Sequence, residues 1–142
     1  SLSLSLSVTP LALAVFSAED AVPLNISEVA LLLATRKKQN EDKNDGEAAL
    51  KPDIENCLAY AQKFAKFGTM EAVEEIREIL NNAGKGEDME GEGLHRFEQA
   101  MLANLCPQDP EEAQALIPSL NIEELDLRDL IQDMQAFQSN FA

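Results

Sequence analysis

Few side chains in this 142-residue chain could do covalent or acid–base chemistry, and their spacing does not bring them together. His95 is the only histidine. With no cysteine or carboxylate constellation beside it, it reads as a helix-start or partly packed residue rather than a general acid or base. The two cysteines, Cys57 and Cys106, lie far apart in sequence inside apolar helical patterns. That placement predicts reduced, buried thiols of a nuclear or cytosolic protein rather than a disulfide. Glu87, Asp88, Glu90 and Glu92 crowd a glycine-rich run, GKGEDMEGEG, over residues 84–93. The run lacks the ligand order and terminal glutamate of a calcium loop, so it reads as a solvated loop with no metal. Tyr60, Phe64 and Phe67 recur at helical spacing beside Lys63 and Lys66. Such a row could stack nucleic-acid bases, but it is expected to be core. No nucleophile with a base, no phosphate loop and no cofactor motif is present, so an enzyme is not supported.

Charge narrows the partners. Twenty-six acidic against 11 basic side chains give a formal charge of −15, a field that repels phosphate backbones and favours a basic protein as complement. No apolar run approaches the ~20 residues that span a bilayer, so the chain reads as soluble, without a membrane partner. Its length suits one domain plus arms.

With chemistry set aside, residues 94–120 become the organising stretch. Phe97, Met101, Leu102 and Leu105 recur at helical spacing until Cys106-Pro107 stops the helix, because proline removes a donor and restricts the residue before it. Asp109, Pro110 and Glu112 then supply an N-cap, a first-turn proline and an N3 carboxylate. A second helix carries Ala113, Leu116 and Ile117 to Pro118. The result is a helical corner whose expected packing residues are Phe97, Leu105, Pro107, Leu116, Ile117 and Pro118.

The rest of the pattern is helical too. From Pro52, Ile54, Leu58, Ala61 and Phe64 or Ala65 trace one face of a helix expected to end at Gly68, and Thr69 caps a helix with Val73, Ile76, Ile79 and Leu80 inward. A final helix, with Asp126 expected as cap, carries Leu127, Leu130, Ile131, Met134 and Phe137. Upstream, Asn25 or Ser27 starts a first helix whose Val29, Leu31, Leu32 and Leu33 spread over more than one face, so it should be sandwiched between two bodies. Arg36-Lys37-Lys38 is expected at its C-terminal end, followed by a polar linker over residues 39–49. Residues 1–7 alternate Ser and Leu; they read as a strand for a partner's sheet edge, or else as a disordered leader. A secretory signal is a further reading, but it lacks a basic n-region. The expected architecture is an all-α helical bundle over residues 50–142, preceded by a partner-binding arm, first helix and linker over residues 1–49.

Several of these segments carry a family resemblance. His95-Arg96-Phe97-Glu98, Ala103-Asn104-Leu105-Cys106-Pro107, Glu111-Glu112-Ala113 and Ala115-Leu116-Ile117-Pro118-Ser119-Leu120 stand in the order and spacing of one family's motifs. Tyr60, Phe64, Phe67 and Ala72-Val73 fit a further segment, and residues 24–40, LNISEVALLLATRKKQN, are similar to its first helix. The chain resembles the family of subunit 4 of eukaryotic RNA polymerase II and its archaeal relative. The resemblance implies a domain like the helicase-and-RNase-D C-terminal (HRDC-like) fold, in a non-catalytic nuclear stalk subunit. That subunit forms a heterodimer with polymerase subunit 7, reaches the polymerase core through it, and supports initiation and handling of the emerging transcript, with nascent RNA held mainly by the partner. The partner-binding residues would then be Phe16, Leu24, Ile26, Val29, Leu32 and Leu33. The equivalent subunit of RNA polymerase III or of a plant-specific polymerase is the alternative within the family; a free-standing helicase-associated nucleic-acid-binding domain is the alternative outside it. Residues 1–15 and the acidic run at 84–93 depart from the family pattern, and the Asn25-Ile26-Ser27 glycosylation sequon would go unused in a nuclear protein.

Overall fold

The computed structural model describes residues 21–43, 50–85 and 93–139. Phe16 and the Ser-Leu alternation, the second half of the linker and most of the acidic run lie outside these residues. Six α-helices and no strand occur among the described residues: α1 Ile26–Lys43, α2 Pro52–Phe64, α3 Met70–Asn82, α4 Arg96–Leu105, α5 Pro110–Leu116 and α6 Glu124–Ala136. The all-α expectation therefore holds. None of these helices is long and apolar enough to cross a membrane.

Local chemistry explains most helix starts. Asn25 caps α1: its Oδ1 accepts from Glu28 N at 2.9 Å, and Glu28 Oε1 accepts from Asn25 N at 3.4 Å. Thr69 Oγ1 accepts from Ala72 N, and Asp109 Oδ1 accepts from Glu112 N at 2.8 Å ahead of Pro110. His95 begins α4 in a reciprocal box, its Nδ1 accepting from Phe97 N while Glu98 Oε1 accepts from His95 N. α4 stops at Cys106, whose φ of 43° places it in the left-handed region. That conformation is unusual away from glycine, but the following Pro107 disfavours continuing the helix.

Three boundaries differ from expectation. α1 continues through Lys43, beyond Arg36-Lys37-Lys38, because residues 39–43 contain no glycine or proline and the Asn44-Asp45-Gly46 breaker comes later. α2 ends at Phe64, ahead of Gly68, with Ala65 already extended. α6 starts at Glu124, and Asp126 lies in its first turn without capping it.

The main core gathers Phe67, Ile76, Leu80, Leu102, Ile117, Leu127, Ile131 and Met134 from the turn after α2, from α3, α4 and α6, and from the end of α5. The last helix buries the stripe Leu127, Leu130, Ile131 and Met134 as its periodicity predicts. A smaller cluster of Ala30, Ala61 and Ala65, flanked by Ile26 and Val29, lets α1 and α2 approach closely, and these two helices share the most extensive helix pairing in the molecule. Ser27 fixes their register. It is buried, and its Oγ accepts from Lys66 N at 3.0 Å and Phe67 N at 3.1 Å. Those amides follow the end of α2, so the stop that no local residue explains is made by a side chain 39 and 40 positions upstream.

The corner forms, but four of its six expected packing residues face outward. Pro107 and Ile117 are buried, whereas Phe97, Leu105, Leu116 and Pro118 are exposed. The buried face of α4 is instead Leu102 and Ala103, continued by Cys106. Two apolar stripes compete on this short helix, and the core takes the one containing the small Ala103.

Candidate partner-docking surface

The outward apolar residues concentrate on α1, α2 and α4. Leu24, Ile26 and Val29 face Asn56, Cys57, Tyr60 and Ala61 across a largely apolar cleft of about 390 Å³ between α1 and α2. Tyr60 is 61% exposed and Leu32 54% exposed, while Leu33 is half-buried. The Tyr60 and Phe64 rings meet at 4.7 Å, tilted 44°, and Lys63 Nζ sits 5.6 Å from the Phe64 centroid. The expectation of a core aromatic row therefore fails for two of its three members. Phe67 is fully buried, but Tyr60 and Phe64 stand outside. The cause is a second stripe on α2, Cys57, Tyr60 and Phe64, beside the buried Leu58 and Ala61 face, where Ala61 packs against Ala30 of α1. Cys57 lies on that stripe and is exposed, contrary to the expectation of two buried thiols.

The extended approach to α1 runs along α4. Arg96 Nη1 donates to the Ala21 carbonyl at 3.3 Å, and Ile26 N donates to Asn104 Oδ1 at 2.7 Å. Held at both ends, this segment exposes Val22 and Leu24. On α4 itself, Phe97, Met101 and Leu105 recur every four residues and remain exposed, Phe97 at 59%. His95 stacks on Phe97 at 5.5 Å and 9°. An ion pair from Arg77 to Glu28 ties α1 to α3. The roles that Ser27, Asn104 and Arg77 take were not legible in the local pattern, because each works through a contact distant in sequence.

Cys106 is buried, its Sγ donates to the Ala103 carbonyl at 3.4 Å, and burial pushes its thiol pKa up; the Gln138 hydrogen bond and the Lys66 charge oppose that shift only in part. No group of three or more potential ligands that could hold a metal occurs among the described residues. Charge is unevenly divided. Residues 1–66 hold nine acids and seven bases, whereas residues 67–142 hold 17 acids and four bases. The apolar cleft therefore lies on the least acidic part of the molecule.

Among the described residues the body is all-helical, and its outward face on α1, α2 and α4 carries exposed apolar and aromatic side chains. Comparison with known proteins supplies the family. The family model described as RNA polymerase Rpb4 matches residues 23–138, and the chain belongs to that family of accessory, non-catalytic RNA polymerase II subunits. Among its relatives, the DNA-directed RNA polymerase II subunit rpb4 of Schizosaccharomyces pombe is 32% identical over 117 residues, covering 81% of this chain and 79% of its own. The protein of the same description from Dictyostelium discoideum is 30% identical over 135 residues, with 82% and 79% covered. The DNA-directed RNA polymerase II subunit 4 of Arabidopsis thaliana is 33% identical over 94 residues, with 66% and 62% covered.

Proposed function

We propose that the chain is the stalk subunit of RNA polymerase II that pairs with subunit 7 in the nucleus, through the apolar face of α1, α2 and the segment before them. The observation that carries this reading is the cleft lined by Leu24, Ile26 and Val29 opposite Cys57 and Tyr60, with Leu32 exposed farther along α1. A contiguous apolar surface of this kind on an otherwise acidic molecule is a protein-interaction surface. Its large aromatic and aliphatic side chains are the types that anchor interfaces. In this reading Leu33 and Phe16 are further residues that bind the partner. Through subunit 7 the chain joins the polymerase core and supports initiation and handling of the transcript, with RNA held chiefly by the partner.

Co-expression with subunit 7 tests this. Leu32→Asp together with Tyr60→Asp should abolish co-purification while leaving the melting curve of the isolated chain near that of wild type, because both side chains point outward. A heterodimer that survives the double change at micromolar concentration would sink the assignment.

A further inference from the structure

A second groove lies on another side of the molecule, between the C-terminal half of α3 and α6, with a volume of about 720 Å³. Ile79 and Ala83 come from α3 and its C-terminal cap, Ile122 from the approach to α6 and Leu130 from α6 itself. Ile79, Ala83 and Ile122 pack on the core yet remain half-buried, so they form an apolar floor open to solvent. One wall is a row of carboxylates. Glu123, Asp126, Asp129 and Asp133 line the groove at steps of three and four residues, which puts them along one face of the helix over about 15 Å. All four are exposed, and the ion pairs among the described residues leave each of them out. Lys85 is the only base among the described residues that line the groove.

Like charges at this spacing repel one another, and a ligand carrying the opposite charge relieves that repulsion. The row is not arranged to hold a single cation, since no metal-holding group occurs among the described residues. It matches a linear array of charges instead. The neighbouring segment from Gly86 to Glu92 has four acids and no base, and a second copy would bring a formal charge of −15, so neither supplies one. The apolar floor adds a second requirement, an aliphatic side chain between the cations.

We propose that this groove docks a basic, aliphatic-anchored segment of another protein. Its lysines or arginines pair with Glu123, Asp126, Asp129 and Asp133, and a leucine, isoleucine or valine rests on Ile79 and Ile122. Charge complementarity sets the orientation, while the apolar contact separates this segment from any polycation.

The full chain can be titrated into a fluorescein-labelled synthetic peptide of about twelve residues, lysine-rich, with two leucines four positions apart on one helical face. Anisotropy at ~150 mM salt reads specific binding above the screened field. The comparison peptide carries serine for each leucine. Asp126→Lys with Asp129→Lys should weaken binding by about tenfold or more. Glu74→Lys with Glu111→Lys makes the same change in net charge at exposed positions outside the groove and should have a much smaller effect. Asp126→Asn with Asp129→Asn gives a milder version if the reversal disturbs α6, and melting curves check each variant. In amide NMR spectra the leucine peptide should shift Gly84 and Ile122 and leave Cys57 and Tyr60 in place. Equal binding of the leucine and serine peptides, equal loss in the two lysine variants, or no saturable binding would each overturn the proposal, and none of these outcomes bears on pairing with subunit 7.

Discussion

A single hydroxyl decides where α2 ends. Ser27 Oγ accepts two backbone amides, and removing it would leave the buried Phe67 N–H without its partner. Ser27→Ala should therefore destabilise the isolated chain by about 1 to 3 kcal/mol, read as a lower denaturation midpoint with an unchanged slope. The corner leucines give a sharper contrast. Leu102 is fully buried and Leu105 is 44% exposed. Leu102→Ala should cost about 2 to 5 kcal/mol, and Leu105→Ala should stay within about 0.5 kcal/mol, as surface changes usually do. A similar loss for both would mean that Leu105 is core after all. At this scale the sequence announced the caps at Thr69, His95 and Asp109, since capping residues act on amides two or three positions away. It offered Ser27 only as an alternative cap of α1, and the role Ser27 takes at the end of α2 exists only once α1 has docked.

At the level of elements, periodicity located all six helices, but it did not say which stripe each would bury. α2 carries Leu58 and Ala61 on one side and Cys57, Tyr60 and Phe64 on another, both at helical intervals; the alanines of α1 and α2 chose the first by permitting close approach. α4 repeats the ambiguity with Leu102 against Phe97 and Leu105. Where a stripe is left over, the helix has two tasks. The cysteines report on this directly. In the isolated chain Cys57 should be alkylated readily at neutral pH and Cys106 slowly, because Cys57 is exposed while Cys106 is buried with its thiol pKa pushed up and so held protonated. Mass spectrometry after timed iodoacetamide treatment measures both rates. Addition of subunit 7 should slow Cys57 alone, and an unchanged Cys57 rate in a verified heterodimer would place the partner elsewhere.

For the whole molecule, net charge was legible from composition, but its distribution needed the fold. The exposed Tyr60 and Phe64 beside Lys63 have the residue types of a base-stacking surface, yet they belong to a chain of formal charge −15. The isolated chain should give no saturable anisotropy change with a labelled single-stranded RNA at ~150 mM salt. Tight, salt-sensitive binding would assign RNA contact to this subunit rather than to its partner. The division of charge matters beyond the size of that repulsion. The portion containing α1 and α2 carries a net −2 and the portion from Phe67 onward a net −13, so a nearby polyanion exerts a torque as well as a push. Within about a Debye length, ~8 Å at physiological salt, that torque turns α3 to α6 away from nucleic acid and brings α1 and α2 around to face it. A nucleic acid would thus orient the free chain by its field before any surface touches, with the acidic side left pointing outward.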